Sequence, residues 1–140
     1  MEFFGISLVR ICLKSMHADL PIPKPEAIVY ENAHLYACLA TYPITRGHVV
    51  VVWKKHVEDL HDLSNEEYDE LMDAVDRVRD VMLQVLKVPK VYLIYMDEAK
   101  HVHWQLVPRY NKKGFDVFEH APKVTDDFSL AEPLRACLNK

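Results

Sequence analysis

The sequence predicts an α+β domain built from short strands, one long helix and a short C-terminal helix. Stretches of strand length, rich in apolar and β-branched residues, recur along the chain, and the most β-branched is residues 48–53, HVVVVW. Between residues 68 and 86 the apolar side chains instead recur every three or four positions, which is typical of a helix with one buried face. Sheet-forming and helix-forming patterns therefore occupy different parts of the chain.

The composition indicates one compact domain and excludes several classes of protein. The chain has 140 residues, half of them apolar, and a net charge of −4, so nothing suggests binding to duplex nucleic acid. No apolar run reaches the roughly 18 residues that a membrane span needs, and no signal peptide is evident. Cys12, Cys38 and Cys137 have neither disulfide-framework nor zinc-site spacing. We expect a cytoplasmic protein with reduced thiols, no metal, no cofactor and no membrane partner.

The single domain divides into three parts. Residues 1–25 form an N-terminal extension and a proline-rich connector, residues 26–110 form the core, and residues 111–140 are largely irregular. Within the extension, residues 1–15 suggest a packed amphipathic element, and the prolines at 21, 23 and 25 predict extended chain. A short helix is predicted over residues 129–137.

Within the core, the sequence predicts five strands and the long helix. The strands are expected over residues 27–30 and 34–40, which form a hairpin, and over residues 48–53, 91–96 and 101–108. Ser64 followed by Glu67 is a capping box that begins the helix, and Pro89 ends it. The apolar stripe of this helix is expected to pack on the sheet.

One predicted strand carries an unusual set of polar residues. Alternation along HVHWQLVP puts His101, His103 and Gln105 on one face, with the apolar residues between them facing the helix. We expect the polar face to be exposed on the other side of the sheet. A neutral imidazole is a nucleophile at pH 7, a second histidine can orient the first, and a glutamine amide donates a hydrogen bond without transferring a proton. This set suits attack on phosphorus.

The pattern of these residues resembles the histidine triad (HIT) superfamily. Residues 101–107, HVHWQLV, resemble its signature His-φ-His-φ-His-φ-φ, where φ is apolar, except that the third histidine is Gln105. Residues 44–51, ITRGHVVV, resemble the family's Gly-His loop and the strand after it, and residues 54–64 resemble the segment that enters its long helix. The resemblance spans roughly residues 26–110.

The resemblance implies a fold, an assembly and a set of site residues. Its fold is a five-stranded antiparallel sheet with a helix on it, usually in a homodimer. It implies that His103 attacks the α-phosphate of a nucleotide or nucleotidyl phosphate substrate, that His101 supports it, and that Gln105 holds phosphate oxygens. Substrate contacts are expected at His48, at Arg109 and at Thr41. Ala40 or Thr41 stands where the family has its ribose-binding Asp or Asn. For His48 and Arg109 a purely structural role stays open.

The sequence leaves three functions open. One is a nucleotide hydrolase or nucleotidyltransferase that works through a covalent nucleotidyl-histidine, and the Gln105 variant resembles the transferase branch of the superfamily. The second is a nucleotide-binding module with little or no turnover, because the third histidine is missing. A weaker third possibility is a scaffold that acts through its dimer surface.

Overall fold

The computed structural model describes residues 23–96 and 99–139. The elements in these ranges are the strands β1 (Ile28–Glu31), β2 (Leu35–Leu39), β3 (Val49–Trp53), β4 (Lys90–Ile94) and β5 (His103–Arg109), and the helices α1 (Asn65–Leu86) and α2 (Ala131–Leu138). Short 3₁₀ helices lie at Pro25–Ala27, Leu60–Asp62 and Gly114–Phe118. The amphipathic element predicted within residues 1–15 falls outside the described residues.

The strands form one antiparallel sheet in the order β1-β2-β3-β5-β4. β3 is central, and all five of its residues are buried because both of its faces are covered. Its run of four valines suits this position, since branched side chains pack well on a pleated surface. The five-stranded antiparallel sheet with a helix on it is therefore confirmed.

The core lies between the sheet and α1. Alternate residues of each strand point toward the helix, as in the register pairs Ala37–Val51 and Val49–Leu106. Opposite them, α1 contributes a buried stripe at helical spacing, which consists of Leu71, Val75, Val78 and Met82. Val102, Trp104 and Leu106 therefore pack under the helix, as predicted, and His103 and Gln105 take the opposite face of the sheet.

Helix α1 begins and ends where the sequence indicates. The Ser64 hydroxyl accepts a bond from the Glu67 amide, and the Glu67 carboxylate accepts one from the Ser64 amide. Lys87 closes the helix in the left-handed conformation, with φ of 54°, two residues before Pro89. Although α1 has 22 residues, no helix in the described ranges is long and apolar enough to cross a membrane.

Two local predictions differ from the structure. β5 begins at His103 and not at residue 101, because the Val102 amide donates to Val57 O, in the segment that leads toward α1. The connector is not extended throughout, since Pro25 begins a 3₁₀ turn. Proline suits the first position of a helix because its φ is already helical and the missing N–H needs no partner there.

The C-terminal segment is tied to the far edge of the sheet. α2, predicted over residues 129–137, buries Leu134 and Leu138 in the main core. The Arg135 guanidinium donates to Ile28 O over 2.9 Å, which links the helix to β1. Edge strand β1 is therefore covered by α2.

Gly47 connects the core to the candidate site, because it immediately precedes His48. Its φ is +88°, and a Cβ placed there would lie 2.8 Å from Leu86 Cδ1. We expect Gly47→Ala to lower the free energy of unfolding by about 2–3 kcal/mol, from backbone strain and from the contact with Leu86. Denaturant unfolding measures the change.

Gly114→Ala is the matched control. Gly114 also has positive φ, at +58°, but nothing lies within 4 Å of an added Cβ. In this variant the free energy of unfolding should fall by only about 1 kcal/mol, which is the cost of the left-handed backbone conformation for alanine. Equal losses in the two variants would show that the Leu86 side chain moves aside freely, and would contradict the close packing inferred for Gly47.

Candidate active site

Strand pairing positions His103 and Gln105 on the sheet face opposite α1. His103 lies across from Val52 and Gln105 across from Val50, both on the central strand. Because side chains alternate along a strand, His103 and Gln105 point the same way, about 7 Å apart along β5. The alternation predicted from the sequence is therefore confirmed between these two residues.

The expectation that this face is exposed is wrong. His103 and Gln105 have no exposed surface, and His101 is also buried. Neighbouring side chains on the same face, among them Tyr36 and Val52, form a small apolar cluster against which Ala99 packs. The sheet face is thus covered, and the polar side chains depend on hydrogen bonds to one another and to the backbone.

The hydrogen bond of His103 sets the chemical state of its ring. His103 Nδ1 lies 2.7 Å from the backbone oxygen of His101. A carbonyl oxygen only accepts, so Nδ1 carries the proton and Nε2 carries the lone pair. Burial lowers the pKa of His103, and the neighbouring His101 ring acts in the same direction. The ring is therefore neutral at pH 7, with a nucleophilic Nε2.

His101 orients His103 with its backbone, and its own ring turns to a different partner. His101 Nε2 lies 2.7 Å from Trp53 O and so donates to it. Its Nδ1 faces His56 Nδ1 at 3.4 Å, with the ring centroids 5.4 Å apart. Burial lowers the pKa of His101. His103 Nδ1 thus bonds to the backbone oxygen of His101, while the His101 imidazole bonds to Trp53 O; the supporting role of His101 stays a prediction.

His48 holds the amide of Gln105. The Ile44 amide donates to His48 Nδ1 over 3.0 Å, so the ring proton is on Nε2, and Nε2 donates to Gln105 Oε1 over 2.5 Å. The Gln105 oxygen is thereby turned toward His48 and its amino group away from it. Burial lowers the pKa of His48 to about 4, so this ring is neutral at physiological pH.

Thr41 and Arg109 are not brought to His103. On β2, the residue level with His103 in the sheet register is Tyr36. Thr41 lies five residues further along the chain and is exposed. Arg109 is six residues beyond His103 at the end of β5, about 20 Å along the strand. The interactions described for His103 therefore involve neither of these two predicted substrate contacts.

Two β2 side chains on this sheet face, Tyr36 and Cys38, carry no charge. Burial raises the pKa of the Cys38 thiol to about 12, and burial also raises the pKa of Tyr36. The two side chains are therefore protonated and neutral at pH 7. The described ranges also hold no cluster of three or more side chains fit for a metal ion.

Comparison with known proteins identifies the family. The family model described as "HIT domain" matches residues 23–112, which is well over half of the chain. The chain belongs to the HIT family. The family suggested by the H-x-H-x-Q run is therefore confirmed.

Relatives and solved structures agree with this assignment. An uncharacterized HIT-like protein of Methanocaldococcus jannaschii is 30% identical over 95 residues, covering 64% of this chain and 74% of the relative. An adenosine 5′-monophosphoramidase of Saccharomyces cerevisiae is 30% identical over 92 residues, covering 64% and 58%. The crystal structure of a hypothetical histidine triad nucleotide-binding protein from Sulfolobus tokodaii superposes with a TM-score of 0.67, at 22% identity, over 81% of this chain and 83% of its own. The structural match supports the HIT fold.

Sequence reasoning missed two partners in this HIT site. The first is His56, whose exposed ring lies beside His101. Sequence reasoning left His48 open between a ligand contact and a structural histidine, and the structure commits both of its ring nitrogens to protein partners. In the sequence, only the glycine before His48 and the strand after it indicated that His48 lies at a fixed place near the site. The partner itself is 57 residues away in sequence.

The buried neutral His48 makes stability depend on pH. The pKa of His48 is about 4 in the folded protein and about 6.5 for an ordinary, exposed histidine, so between these pH values the unfolded chain binds the extra proton. Stability from His48 is complete above pH 6.5 and is lost as the pH falls toward 4. We expect the loss to reach about 3 kcal/mol, and His48→Asn to flatten the pH profile of unfolding by that amount.

Urea unfolding at a series of pH values checks this expectation. His120→Asn, which removes an exposed imidazole, is the control for loss of a histidine as such. A pH profile for His48→Asn as steep as that of the parent would contradict the assigned protonation state of His48. The test compares how steeply the free energy of unfolding depends on pH, so it remains valid if the variant is less stable at every pH.

Proposed function

We propose that this protein is a nucleotide hydrolase or nucleotidyltransferase that acts on a phosphate ester or anhydride through a covalent nucleotidyl-histidine. The observation that carries the proposal is the bond from His103 Nδ1 to His101 O, which leaves the lone pair of a neutral ring on Nε2. The relative named as an adenosine 5′-monophosphoramidase supports a substrate with a nucleotidyl phosphorus.

The reaction has two balanced steps. His103 Nε2 attacks the α-phosphorus, an N–P bond forms, and the bond from phosphorus to the leaving group breaks with its electron pair on that group. The positive charge on the modified ring is stabilised by His101 O, which still accepts from Nδ1. Water or another acceptor then forms a bond to phosphorus, the N–P bond breaks with its electrons on Nε2, and the acceptor's proton passes to solvent.

Each neighbour of His103 has a role in this proposal. The amino group of Gln105 donates to a non-bridging phosphate oxygen, where charge grows in the transition state. His48 fixes that amide, and His101 fixes the nucleophile. Since His103 has no exposed surface, groups around the site move when substrate enters.

The alternative function is a nucleotide-binding HIT module with little turnover. The observation that favours it is the amide at position 105, held by a neutral histidine, because an amide binds phosphate oxygen but transfers no proton. Such a module would bind nucleotide without forming an adduct. The two functions therefore differ in a measurable covalent product.

The nucleophile is tested with His103→Ala. The parent, incubated with an α-phosphorus-labelled nucleotide and rapidly quenched, should retain label that is stable to base and released by acid, as expected for a phosphoramidate. His103→Ala should lose this label entirely, because the proposed N–P bond forms at His103 Nε2. His120→Ala, at an exposed histidine outside the site, should label like the parent.

Two results would count against the proposal. Equal labelling of His103→Ala and the parent would remove His103 as the nucleophile. Nucleotide binding by the parent without any label, over a time course that covers turnover, would favour the binding module.

We also propose that the protein works in the cytoplasm as a homodimer joined at the β4 edge. Among the strands of the described ranges, β4 is the last in the sheet and pairs on one side only, with β5. Leu93 on this strand is 40% exposed, and beside it Tyr95 lines an open groove with Tyr68, which is 42% exposed. Exposed apolar groups next to an open strand edge suit a second copy of the chain. Free thiols at Cys38 and Cys137 agree with a reducing compartment.

Leu93→Lys tests the dimer. The parent should sediment at twice the chain mass of 16.3 kDa, and the variant at 16.3 kDa, because a buried ammonium in the interface lacks a partner. Val124→Lys is the matched control, since Val124 is 64% exposed and far from β4 in sequence. A monomeric parent, or a dimeric Leu93→Lys that keeps the parent's circular dichroism, would contradict this interface.

A further inference from the structure

Positive charge collects at the end of the sheet away from His103. Lys90 begins β4 and Arg109 ends β5, and the two residues pair across these strands, so their side chains point to the same face. Lys112 and Lys113 follow β5 in the chain, and both are exposed. Four cationic side chains are thus grouped at one end of the sheet, in a chain whose net charge is −4.

This grouping is unfavourable for the protein alone. Like charges that lie directly opposite each other on neighbouring strands repel, as Lys90 and Arg109 do. Arg109 is only partly exposed, and its Nε is buried without a hydrogen-bond partner in the part of the chain that the structure describes. Residues 109–118 contain three basic side chains and one acidic side chain, Asp116. A bound anion would reduce the repulsion and offer acceptor atoms to the guanidinium.

The turn after these cations presents an aromatic ring to solvent. The Gly114 amide donates to the Tyr92 hydroxyl over 2.8 Å, and Val117 is buried in a small apolar cluster against β5. Between these two anchors, the Phe115 side chain is 70% exposed. Because the turn is held on both sides of Phe115, the exposure of this ring is a property of the folded turn. A large exposed ring at a fixed position suits contact with a partner.

Tyr92 links the ring to the cations. The bond from the Gly114 amide lowers the pKa of Tyr92, and the charges of Arg109 and Lys90 act in the same direction. Both charges are therefore close to the hydroxyl that holds Gly114, the residue immediately before Phe115. We refer to one set of side chains as the basic-aromatic surface, namely Lys90, Arg109, Lys112, Lys113 and Phe115.

We propose that the basic-aromatic surface binds single-stranded nucleic acid, with phosphates held by the cations and a base stacked on Phe115. Basic side chains that follow the backbone, together with an aromatic ring on which a base stacks, are the means by which proteins bind single strands without sequence preference. In a duplex each base is already covered by its neighbours. An acidic peptide offers carboxylates but no base to stack on Phe115. The cations and the ring together therefore favour a single strand.

This surface is distant from the proposed nucleophile. Arg109 lies six residues beyond His103, which is about 20 Å along β5. The inference therefore does not depend on the proposed function. Strand binding measures the inference and the His103 adduct measures the function, so either can fail alone.

Fluorescence anisotropy with labelled oligothymidylate and oligouridylate tests the surface. Phe115→Ala should weaken binding at least ~5-fold, because one base loses its stacking partner, and Phe115→Tyr, which keeps a ring, should stay within about twofold of the parent. Lys113→Gln should reduce the slope of log Kd against log salt by about 0.7, the value for one lost phosphate contact with a single strand. Lys55→Gln is the matched control and should bind as the parent does, since Lys55 is an exposed lysine beyond β3 at the opposite end of the sheet.

Several results would overturn the inference. The first is a parent that binds neither strand, and the second is a Phe115→Ala affinity within about twofold of the parent's. The third is displacement of the strand by AMP at an equal concentration of nucleotides, which would place the strand in a mononucleotide site. The fourth is displacement by oligoglutamate as effective as displacement by unlabelled oligothymidylate, which would show recognition of charge alone. If the parent binds no strand and Phe115→Ala converts a dimer to a monomer in sedimentation, the surface is instead an interface between copies of this chain.

Discussion

The chemistry of this site depends on one hydrogen bond, from the His103 ring to the backbone oxygen two residues earlier. The strand ladder begins at His103, and the carbonyl of His101 just before it accepts from a side chain. A fixed acceptor selects one tautomer, and only that tautomer places the lone pair on Nε2. The tautomer of His103 is thus set by the place where β5 begins, since a strand that began earlier would draw the same carbonyl into its ladder.

Burial decides the charge of the site. His48, His101 and His103 all lie away from water, and burial lowers the pKa of each. Neutral rings act as defined donors or acceptors, whereas a protonated ring would donate at both nitrogens and break this pattern. Burial also keeps Tyr36 and Cys38 protonated on β2, on the same face of the sheet. The site is therefore built from oriented neutral groups, which suits stabilisation of charge that develops during a reaction.

The central strand holds the site at both of its ends. His48 immediately precedes β3 and binds the Gln105 amide, and Trp53, the last residue of β3, accepts from His101. Between them, Val50 and Val52 lie opposite Gln105 and His103 in the sheet register. Packing of the other face of β3 against α1 makes this support rigid. The hydrophobic core on one face of the sheet thus holds the site residues on the other face in position.

The sequence by itself determined the elements and the family. Short-range patterns predicted the strands, the capped helix α1 and the polar alternation of His103 and Gln105, because each arises within a few residues. Only the tertiary structure decided that this face is buried, that His48 meets Gln105 across 57 residues, and that Thr41 and Arg109 lie far from His103. These features depend on strand order and register, which bring together residues that no local pattern relates.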